Sequence, residues 1–396
     1  MSLDILFGID LFLESGEWRR YERDKVLVLT NISAVTSNLS YSIIELKKRL
    51  NVLGVLAPEH GFWGIAQAGE EISHEYDVLL NLDVYSLYTR SREPVLGILR
   101  ESDVVIVDIQ DLGLRHYTYV SALMDLMDLM SKTGVNKLIV LDRPNPLGAE
   151  VVEGPLIRPE TRSYVGYYEI PIRYGATLAE LAKLYNYERG LGLEIDVYPV
   201  RNWLRSMDFL DTNLQWIPPS PAIPTPETAF IYGSTVYLEA TNISEGRGTY
   251  TPFRVFGAPF IDPFKLSEEL NKEISELRFR PTRFRPLFSK YSGEICGGAY
   301  VHLINRKSLR IFETGLKILS VIYRLYEKNF ELLRSGDKIR LDLLTGDPEA
   351  RKVVFGERSL KDYIVSLNDE LKEYEERLNP HKIYKHSIRS EVSRSL

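Results

Sequence analysis

The sequence predicts an α/β protein whose first domain is a doubly wound, mostly parallel sheet and whose second domain is smaller. Four short apolar runs, at 26–29, 52–57, 104–109 and 138–141, are typical of strands buried on both faces of a parallel sheet. Val120, Leu123, Met124 and Met127 recur at the spacing of one helix face between the third and fourth runs. Five prolines between 217 and 226 exclude regular helix or central strand there. They mark the expected boundary between domains 1–225 and 226–396.

Further elements are predicted on both sides of this boundary. Residues 177–180, Thr-Leu-Ala-Glu, match a capping box and predict the start of a helix, and 193–200 predicts another strand. In the second domain we expect helices near 263–277, 308–328 and 359–377, with strands near 280–288 and 298–304. The interval 242–259 is rich in glycine and proline and predicts a loop region. The second domain is therefore expected to be of the α+β class.

Composition narrows the possible partners and compartments. The 396 residues include 49 Lys and Arg against 55 Asp and Glu, and the net charge of −6 gives no global attraction to nucleic acid or anionic membrane. No apolar run approaches the roughly 20 residues of a membrane span, and the first residues lack the basic stretch of a signal peptide. One cysteine, Cys296, leaves no intramolecular disulfide. We expect a cytoplasmic protein without nucleic-acid or membrane partners, and a homodimer stays open.

Polar residues follow each of the four early strands. Because the carboxyl ends of parallel strands meet at one edge of a sheet, these side chains are expected to converge on one binding crevice. The candidates are Asn31 after the first strand, Glu59 and His60 after the second, Asp108, Gln110, Asp111, Arg115, His116, Tyr117 and Tyr119 around the third, and Arg143 and Asn145 after the fourth.

The absence of other recognised motifs favours carboxylate and histidine chemistry in this crevice. The chain lacks a dinucleotide fingerprint, a phosphate-binding P-loop and a G-x-S-x-G nucleophile elbow, so we expect no cofactor. Glu59 lies between Pro58 and His60-Gly61, where it can serve as a general acid; the alternative is a loop glutamate in a salt bridge. Glycoside hydrolysis needs a second carboxylate, for which Glu245 and Asp111 are candidates.

Two alternatives to this interpretation remain open from the residues alone. Acceptable nitrogen and oxygen metal ligands occur among Glu59, His60, Asp108, Asp111 and His116, but no recognised ligand spacing occurs and we predict no metal. A strand-like alternation would place Tyr117 and Tyr119 on one face. That face is either a platform for a sugar ring or a half-buried surface.

Two clusters in the second domain carry their own alternatives. Asn242, Glu245 and Arg247 lie in the glycine-containing stretch 242–249, which is either a binding loop or a plain surface turn. Arginines and phenylalanines alternate between 278 and 288. Such a pattern can bind single-stranded nucleic acid, but the acidic net charge favours a strand with one buried and one solvated face.

Together the motifs resemble the exo-β-N-acetylmuramidase family over residues 8–385. The matching segments, in chain order, are Ala-Pro-Glu-His-Gly at 57–61, Asp-Val-Tyr-Ser-Leu-Tyr at 83–88, Asp-Ile-Gln-Asp-Leu-Gly at 108–113, Arg-His-Tyr-Thr-Tyr at 115–119, Leu-Asp-Arg-Pro-Asn-Pro-Leu-Gly at 141–148, Val-Glu-Gly-Pro at 152–155, Pro-Ser-Pro at 219–221, Thr-Asn-Ile-Ser-Glu-Gly-Arg-Gly-Thr at 241–249, Gly-Ala-Pro at 257–259 and Cys-Gly-Gly at 296–298.

The resemblance implies a Rossmann-like domain without a dinucleotide, and a smaller domain that closes the active-site cleft. It implies release of terminal β-linked N-acetylmuramic acid from the non-reducing end of peptidoglycan fragments, with Glu59 as the leading catalytic residue. A small glycan is then the expected substrate. Arg115, Arg143 and Arg247 are candidates for its lactyl carboxylate, and candidates for its other groups are His60, Tyr117, Asn145, Glu153 and Asn242. A sugar-binding protein without turnover, or a metal-dependent hydrolase, remains the alternative.

Three departures from the family pattern bear on the substrate. The family usually has His-Gly-Met-Thr where this chain has Tyr-Gly-Ala-Thr at 174–177, and Asn where it has Ala222. After the first strand, Asn-Gln-Thr-Gly is replaced by Asn-Ile-Ser-Ala at 31–34. Lost hydrogen bonds to a sugar change selectivity strongly, so the identity of the sugar is less firmly implied than the reaction class.

Overall fold

A computed structural model describes residues 4–89 and 91–386 of the chain. The strands within these residues are β1 Lys25–Thr30, β2 Asn51–Ala57, β3 Glu75–Asp77, β4 Leu82–Ser86, β5 Val104–Asp108, β6 Lys137–Leu141, β7 Val152–Glu153, β8 Arg173–Tyr174, β9 Glu194–Tyr198, β10 Val255–Ala258, β11 Leu277–Phe284, β12 Cys296–Leu303, β13 Arg334–Ser335 and β14 Lys338–Ile339.

The α-helices of the described residues cover both faces of the large sheet and build most of the second domain. They are α1 Gly8–Ser15, α2 Ser42–Lys47, α3 Glu93–Glu101, α4 Tyr119–Thr133, α5 Leu178–Arg189, α6 Pro226–Thr235, α7 Pro263–Glu273, α8 Ile311–Tyr326, α9 Arg340–Thr345, α10 Glu349–Val354, α11 Leu360–Ser366 and α12 Asn368–Leu378. Short 3₁₀ helices span Glu17–Tyr21, Pro159–Thr161, Phe209–Asp211, Val236–Ala240 and Asn379–His381.

The first domain contains the doubly wound sheet that the sequence predicts. Its strand order is β3-β4-β2-β1-β5-β6-β9, and every neighbouring pair is parallel except β3 with β4. The chain winds outward from β1 in one direction through β2 and β4, and then in the other through β5, β6 and β9. This order places the switch point between β1 and β5, where open α/β sheets bind ligands beyond the carboxyl ends of their strands.

Burial explains why the four apolar runs form the centre of this sheet. All five residues of β5 are buried, and so are residues 26–30 of β1, because helices cover both faces. The predicted capping box is also present. The Thr177 hydroxyl accepts from the Glu180 N–H, and the Glu180 carboxylate accepts from the Thr177 N–H, so α5 begins where the sequence indicates.

The second domain packs helices against a small antiparallel sheet. That sheet has the order β10-β12-β11, α7 lies against it, and α8 packs on α6 and α7. The buried positions of α8 include Phe312, Leu316, Leu319 and Ile322, which extend the core shared with the first domain. Arg115 ties the two domains together, because its guanidinium donates to the carbonyl of Thr345 at 2.6 Å and to that of Pro155 at 2.6 Å.

The structure corrects three local predictions. Tyr117 lies in a turn and Tyr119 is the first residue of α4, so the strand-like alternation is wrong, although the two rings touch with centroids 4.6 Å apart. The single helix expected at 359–377 is two helices, because Leu367 ends α11 and also serves as the N-cap of α12. The expected loop region 242–259 contains β10, whose Val255 pairs with Tyr300 of β12.

None of the helices in residues 4–89 and 91–386 combines the length and the apolar character that a membrane crossing requires.

Candidate active site

A cavity of about 110 Å³ lies between the two domains, beyond the carboxyl ends of β2 and β5. The first domain contributes the turns that follow these strands, and the second contributes α6, the Val236–Ala240 helix and the loop that carries Arg247. The lining residues are Glu59, His60, Ala68, Tyr88, His116, Tyr117, Thr118, Tyr164, Val165, Ser220, Ala222, Ile223, Tyr232, Glu239, Arg247, Phe253 and Leu344.

Glu59 is held in this cavity by one hydrogen bond to each carboxylate oxygen. Oε1 accepts from the Gly69 N–H at 2.9 Å, and Oε2 accepts from the Thr118 hydroxyl at 2.7 Å. The residue is 8% exposed, so its carboxyl group meets the cavity rather than bulk solvent. An amide N–H can only donate, which leaves Oε2 as the oxygen that can carry a proton. A hydroxyl can accept from a carboxylic acid as well as donate to a carboxylate.

Thr118 is the N-cap residue of α4, yet its hydroxyl makes no bond within that helix. A threonine in this position usually accepts from the backbone N–H of its own first turn. Here the hydroxyl is directed to Glu59 instead. The carboxyl group of Glu59 therefore also lies near the N-terminus of α4.

His60 is a neutral hydrogen-bonding group in the same cavity. Its backbone φ of +74° is uncommon for a residue with a side chain, and the glycine that follows also has positive φ. Nδ1 lies 2.8 Å from the Ala66 carbonyl oxygen, so Nδ1 carries the proton and Nε2 is left as an acceptor. Burial lowers the pKa of His60, although the charge of Glu59 opposes this effect.

Several buried polar atoms on the cavity wall have no protein partner among the described residues. Neither ring nitrogen of His116 makes a hydrogen bond, and neither does the Tyr164 hydroxyl. The Tyr117 hydroxyl makes no hydrogen bond of good geometry, and its nearest polar neighbours are Tyr119 and Ser220. Burial lowers the pKa of His116 to about 3, so its ring is neutral at pH 7. Because unpaired buried polar groups are costly, this wall is suited to a polar ligand.

The second domain contributes an ion pair to the cavity. The Arg247 guanidinium donates to Glu239 Oε1 from Nε at 3.0 Å and from Nη2 at 2.7 Å. Burial acts to lower the pKa of Arg247, but the charge and hydrogen bonds of Glu239 outweigh it and raise the pKa. Glu239 was not among the residues predicted from sequence. It lies in a short 3₁₀ helix without a recognisable motif, and the packing of the two domains brings it to the cavity that Glu59 also lines.

Glu245, the predicted second carboxylate, does not line the cavity. It is buried behind Arg247, with Oε2 accepting from Lys290 Nζ at 2.9 Å and Oε1 lying 3.6 Å from Arg247 Nε. The same Lys290 ammonium donates to the carbonyls of Leu238 and Ile243. Glu245 therefore supports the loop that positions Arg247.

Four further candidates form hydrogen bonds within the polypeptide around the site and do not face the cavity. Asn31 Nδ2 donates to the Tyr119 hydroxyl at 2.8 Å, and its Oδ1 accepts from Ser33. The Arg143 guanidinium donates to the Asp108 carboxylate at 2.5 Å, and the Arg115 guanidinium donates to backbone carbonyls. None of Asn31, Tyr119, Arg115 and Arg143 is among the described residues that line the cavity.

Asp111, Gln110 and Asn145 meet at a separate, very small cleft beside β5 and β6. Asp111 accepts from the Gly113 N–H at 2.6 Å and from the Tyr174 hydroxyl. Burial raises the pKa of Asp111 to about 7, against the lowering effect of these hydrogen bonds. Gln110 and Asn145 donate to backbone carbonyls of Pro144 and Ala176. The family departures at 174 and 176 therefore lie in this cleft, whereas Ala222 lines the cavity of Glu59.

Glu153 and Asn242 also serve the fold. The carboxylate of Glu153 accepts from Arg173 at 3.3 Å and from the Phe312 N–H at 3.2 Å, which links the two domains. Asn242 forms hydrogen bonds with the backbone of Asn329 and Glu331. Within the described ranges no three His, Cys, Asp or Glu side chains are grouped so that they could hold a metal ion.

A second, wider pocket of about 320 Å³ adjoins the cavity. Tyr88 and Tyr164 line both, and their rings meet edge to face with centroids 5.3 Å apart. Gly69, which holds Glu59, also lines the outer pocket. The arrangement is a small inner chamber beside the carboxylate and a larger outer one, which suits a site that accepts the end of a chain.

Comparison with known proteins identifies relatives over nearly the whole length. A family model described as "Exo-beta-N-acetylmuramidase NamZ, N-terminal" matches residues 26–227, and one described as "Exo-beta-N-acetylmuramidase NamZ, C-terminal" matches residues 230–384. The "Peptidoglycan beta-N-acetylmuramidase NamZ" of Bacillus subtilis is 36% identical over 380 residues, which cover 95% of this chain and 91% of that protein.

Solved structures agree with this match. One DUF1343 family protein from Bacteroides fragilis is 30% identical, with a TM-score of 0.85 over 96% of this chain and 99% of that one. A second protein with the same family description, from the same organism, is 26% identical, with a TM-score of 0.70 over 97% of this chain and 100% of that one.

Proposed function

The chain belongs to the exo-β-N-acetylmuramidase family, and from that membership we propose that it releases terminal β-linked N-acetylmuramic acid from the non-reducing end of peptidoglycan fragments. The observation that carries the proposal is the placement of Glu59, buried at the end of β2 with a hydrogen bond to each oxygen, in a cavity too small for more than the end of a glycan.

Glu59 acts as the general acid in this proposal. The proton sits on Oε2, since Oε1 is occupied by the Gly69 N–H, and it passes to the glycosidic oxygen as the bond to the anomeric carbon breaks. The Thr118 hydroxyl oxygen accepts a hydrogen bond from the protonated Oε2 before transfer, and the hydroxyl donates to the carboxylate afterwards. One hydroxyl thus satisfies both protonation states without moving the acid.

Glu239 is the second carboxylate in place of Glu245. Its Oε1 is fixed by two hydrogen bonds from Arg247, so the negative charge has a defined position on the wall opposite the first domain. In glycosidases with paired carboxylates, the second group stabilises the cationic transition state or activates the group that attacks the anomeric carbon. The neutral rings of His60 and His116 and the hydroxyls of Tyr117 and Tyr164 are suited to the hydroxyl and acetamido groups of the sugar.

The test is hydrolysis of a chromogenic β-N-acetylmuramide beside the matching β-N-acetylglucosaminide. We expect turnover of the muramide, and a loss of about 10²- to 10⁴-fold in the Glu59→Gln variant, as for other general acids. Glu75→Gln is the matched control, because Glu75 is an exposed carboxylate on β3 of the same domain. Retention of more than about a tenth of the activity in Glu59→Gln contradicts the assignment.

A further inference from the structure

A groove of about 540 Å³ in the second domain takes no part in the chemistry described above. We call it the arginine groove and define it by Tyr250, Arg283, Phe284, Arg285, Phe288 and Tyr300. It runs along β11 and β12, and its volume lies in the range of roughly 300–1,000 Å³ that is usual for ligand sites. None of the lining residues within the described part of the chain is acidic.

The groove exposes aromatic surface to solvent. Tyr250 is 89% exposed and Phe288 is 46% exposed, and Leu287 beside them is 79% exposed. Single exposed apolar side chains are ordinary, but a contiguous group of them marks a binding surface. Flat aromatic rings with polar neighbours suit the apolar faces of sugar rings.

The groove also carries positive charge without internal compensation. The guanidinium groups of Arg283 and Arg285 form no ion pair or hydrogen bond with any residue that the structure describes. Two more guanidinium groups, those of Arg254 and Arg280, lie over the Tyr300 ring at 5.6 and 5.4 Å from its centroid. In a chain with an excess of six negative charges, four arginines around one groove without an acidic partner favour an anionic ligand.

One loop contributes residues to both the catalytic cavity and the groove. Arg247 faces the cavity, and the next residue, Gly248, lines the groove. Gly248 has a φ of +83° and lies so close to Phe288 that an added Cβ would stand 2.5 Å from the Phe288 carbonyl oxygen. One tight loop therefore has the catalytic cavity on one side and the arginine groove on the other.

We propose that the arginine groove is a second carbohydrate-binding site, which holds the carboxylate-bearing sugar units of a glycan that continues beyond the unit in the cavity. This inference rests on the proposed function. Tyr250 and Phe288 stack on sugar rings, and Arg283 and Arg285 bind the carboxylates of muramic acid units further along the chain. In such a glycan the carboxylates are separated by sugar units, and two exposed arginines match a few separated charges. A polyphosphate carries a much denser negative charge, which the negative charge of the whole chain disfavours.

The experiment compares short and long substrates in the Arg283→Ala/Arg285→Ala double variant. The short substrate is the chromogenic β-N-acetylmuramide, and the long one is a tetrasaccharide of alternating N-acetylmuramic acid and N-acetylglucosamine with free carboxylates. We expect unchanged kcat/KM for the short substrate and a rise in KM of roughly five- to tenfold for the long one, since exposed ion pairs contribute modestly. The KM of the wild type for the long substrate should also rise with salt.

Two controls isolate the carboxylates and the location. A tetrasaccharide with amidated carboxylates should give the same KM in the wild type and the double variant. Arg278→Ala removes an exposed arginine from the other end of β11, outside the groove, and should leave the KM of both substrates unchanged.

The possible outcomes separate the proposals. If the double variant loses as much kcat/KM on the short substrate as on the long one, the effect is structural and the inference is overturned. An unchanged KM of the double variant for the long substrate overturns it as well. A different outcome is that the wild type binds a fluorescent single-stranded oligonucleotide more tightly than the tetrasaccharide, with this binding lost in the double variant. That result assigns the groove to nucleic acid and also overturns the inference. If the wild type hydrolyses neither substrate, the proposed function fails, while calorimetric binding of the tetrasaccharide still tests the groove.

Discussion

The Thr118→Val substitution tests how Glu59 is held. Valine has nearly the shape of threonine but removes the hydroxyl that lies 2.7 Å from Glu59 Oε2. Because this hydroxyl makes no capping bond in α4, the helix loses none of its own hydrogen bonds in the variant. The perturbation is therefore confined to the oxygen that is proposed to carry the transferred proton.

The expected loss in rate follows from that single bond. Hydrogen bonds to charged groups contribute about 1.5–3 kcal/mol, which corresponds to a decrease of roughly 10- to 150-fold in kcat if the bond positions the acid in the transition state. Stability should change little, because Oε2 faces the cavity and water can take the place of the hydroxyl. We expect the Tm to fall by a few degrees at most, since about 1 kcal/mol shifts the Tm of a large domain by roughly 2–4 °C.

The assay is steady-state hydrolysis of the chromogenic muramide by the wild type, Thr118→Val, Thr118→Ser and Glu59→Gln. The serine variant keeps the hydroxyl and should stay within about threefold of the wild type. Adding Thr118→Val to Glu59→Gln should cost little more, since the two changes remove parts of one interaction. The reasoning is refuted if Thr118→Val keeps the kcat of the wild type, or if Thr118→Ser loses as much kcat as Thr118→Val.

Three further predictions concern residues outside the cavity. Glu245→Gln should keep turnover near that of the wild type while lowering the Tm, because Lys290 loses the partner that holds the loop; a loss as large as that of Glu59→Gln would return Glu245 to the chemistry. Burial raises the pKa of Asp111 to about 7, so its stabilising contribution is complete below the usual Asp range near pH 4 and is lost as the pH rises through about 7. Asp111→Asn should therefore flatten the decline in Tm between about pH 4 and 7, and an unchanged slope contradicts this. Arg115→Gln should destabilise the protein by several kcal/mol in denaturant unfolding, since it removes hydrogen bonds that join the two domains, and a change below about 1 kcal/mol would contradict the role of a clamp.

The central sheet could be predicted because its signal is local. Runs such as 104–109 are apolar on both faces, which only a strand covered by helices on both sides explains. The start of α5 was equally local, since the capping box involves residues 177–180 alone. The edge strand β3 has no buried residue, and its neighbour β4 alternates between buried and half-buried residues. Neither strand therefore carries the continuous apolar run that indicated the others.

The site was only partly predictable, because a polar residue after a strand has two possible uses. Glu59 and His60 reach the cavity, whereas Asn31 and Arg143 satisfy the backbone and side chains of the turns that build it. Both uses call for the same residue types, and irregular buried turns need such partners as much as a substrate does. Glu239 was missed for the opposite reason, since its neighbourhood exists only once the second domain packs on the first.

The departures from the family pattern have different consequences once they are placed in the structure. Tyr174 donates to Asp111 and accepts, through its carbonyl, from the Tyr374 hydroxyl, so this position stabilises the contact between the domains rather than a sugar. Ala222 lines the cavity itself, and there a lost amide removes a hydrogen bond that a substrate could have used. Because a single unpaired polar group of a sugar changes selectivity by orders of magnitude, the choice between muramide and glucosaminide is expected to depend on Ala222 rather than on the substitution at 174.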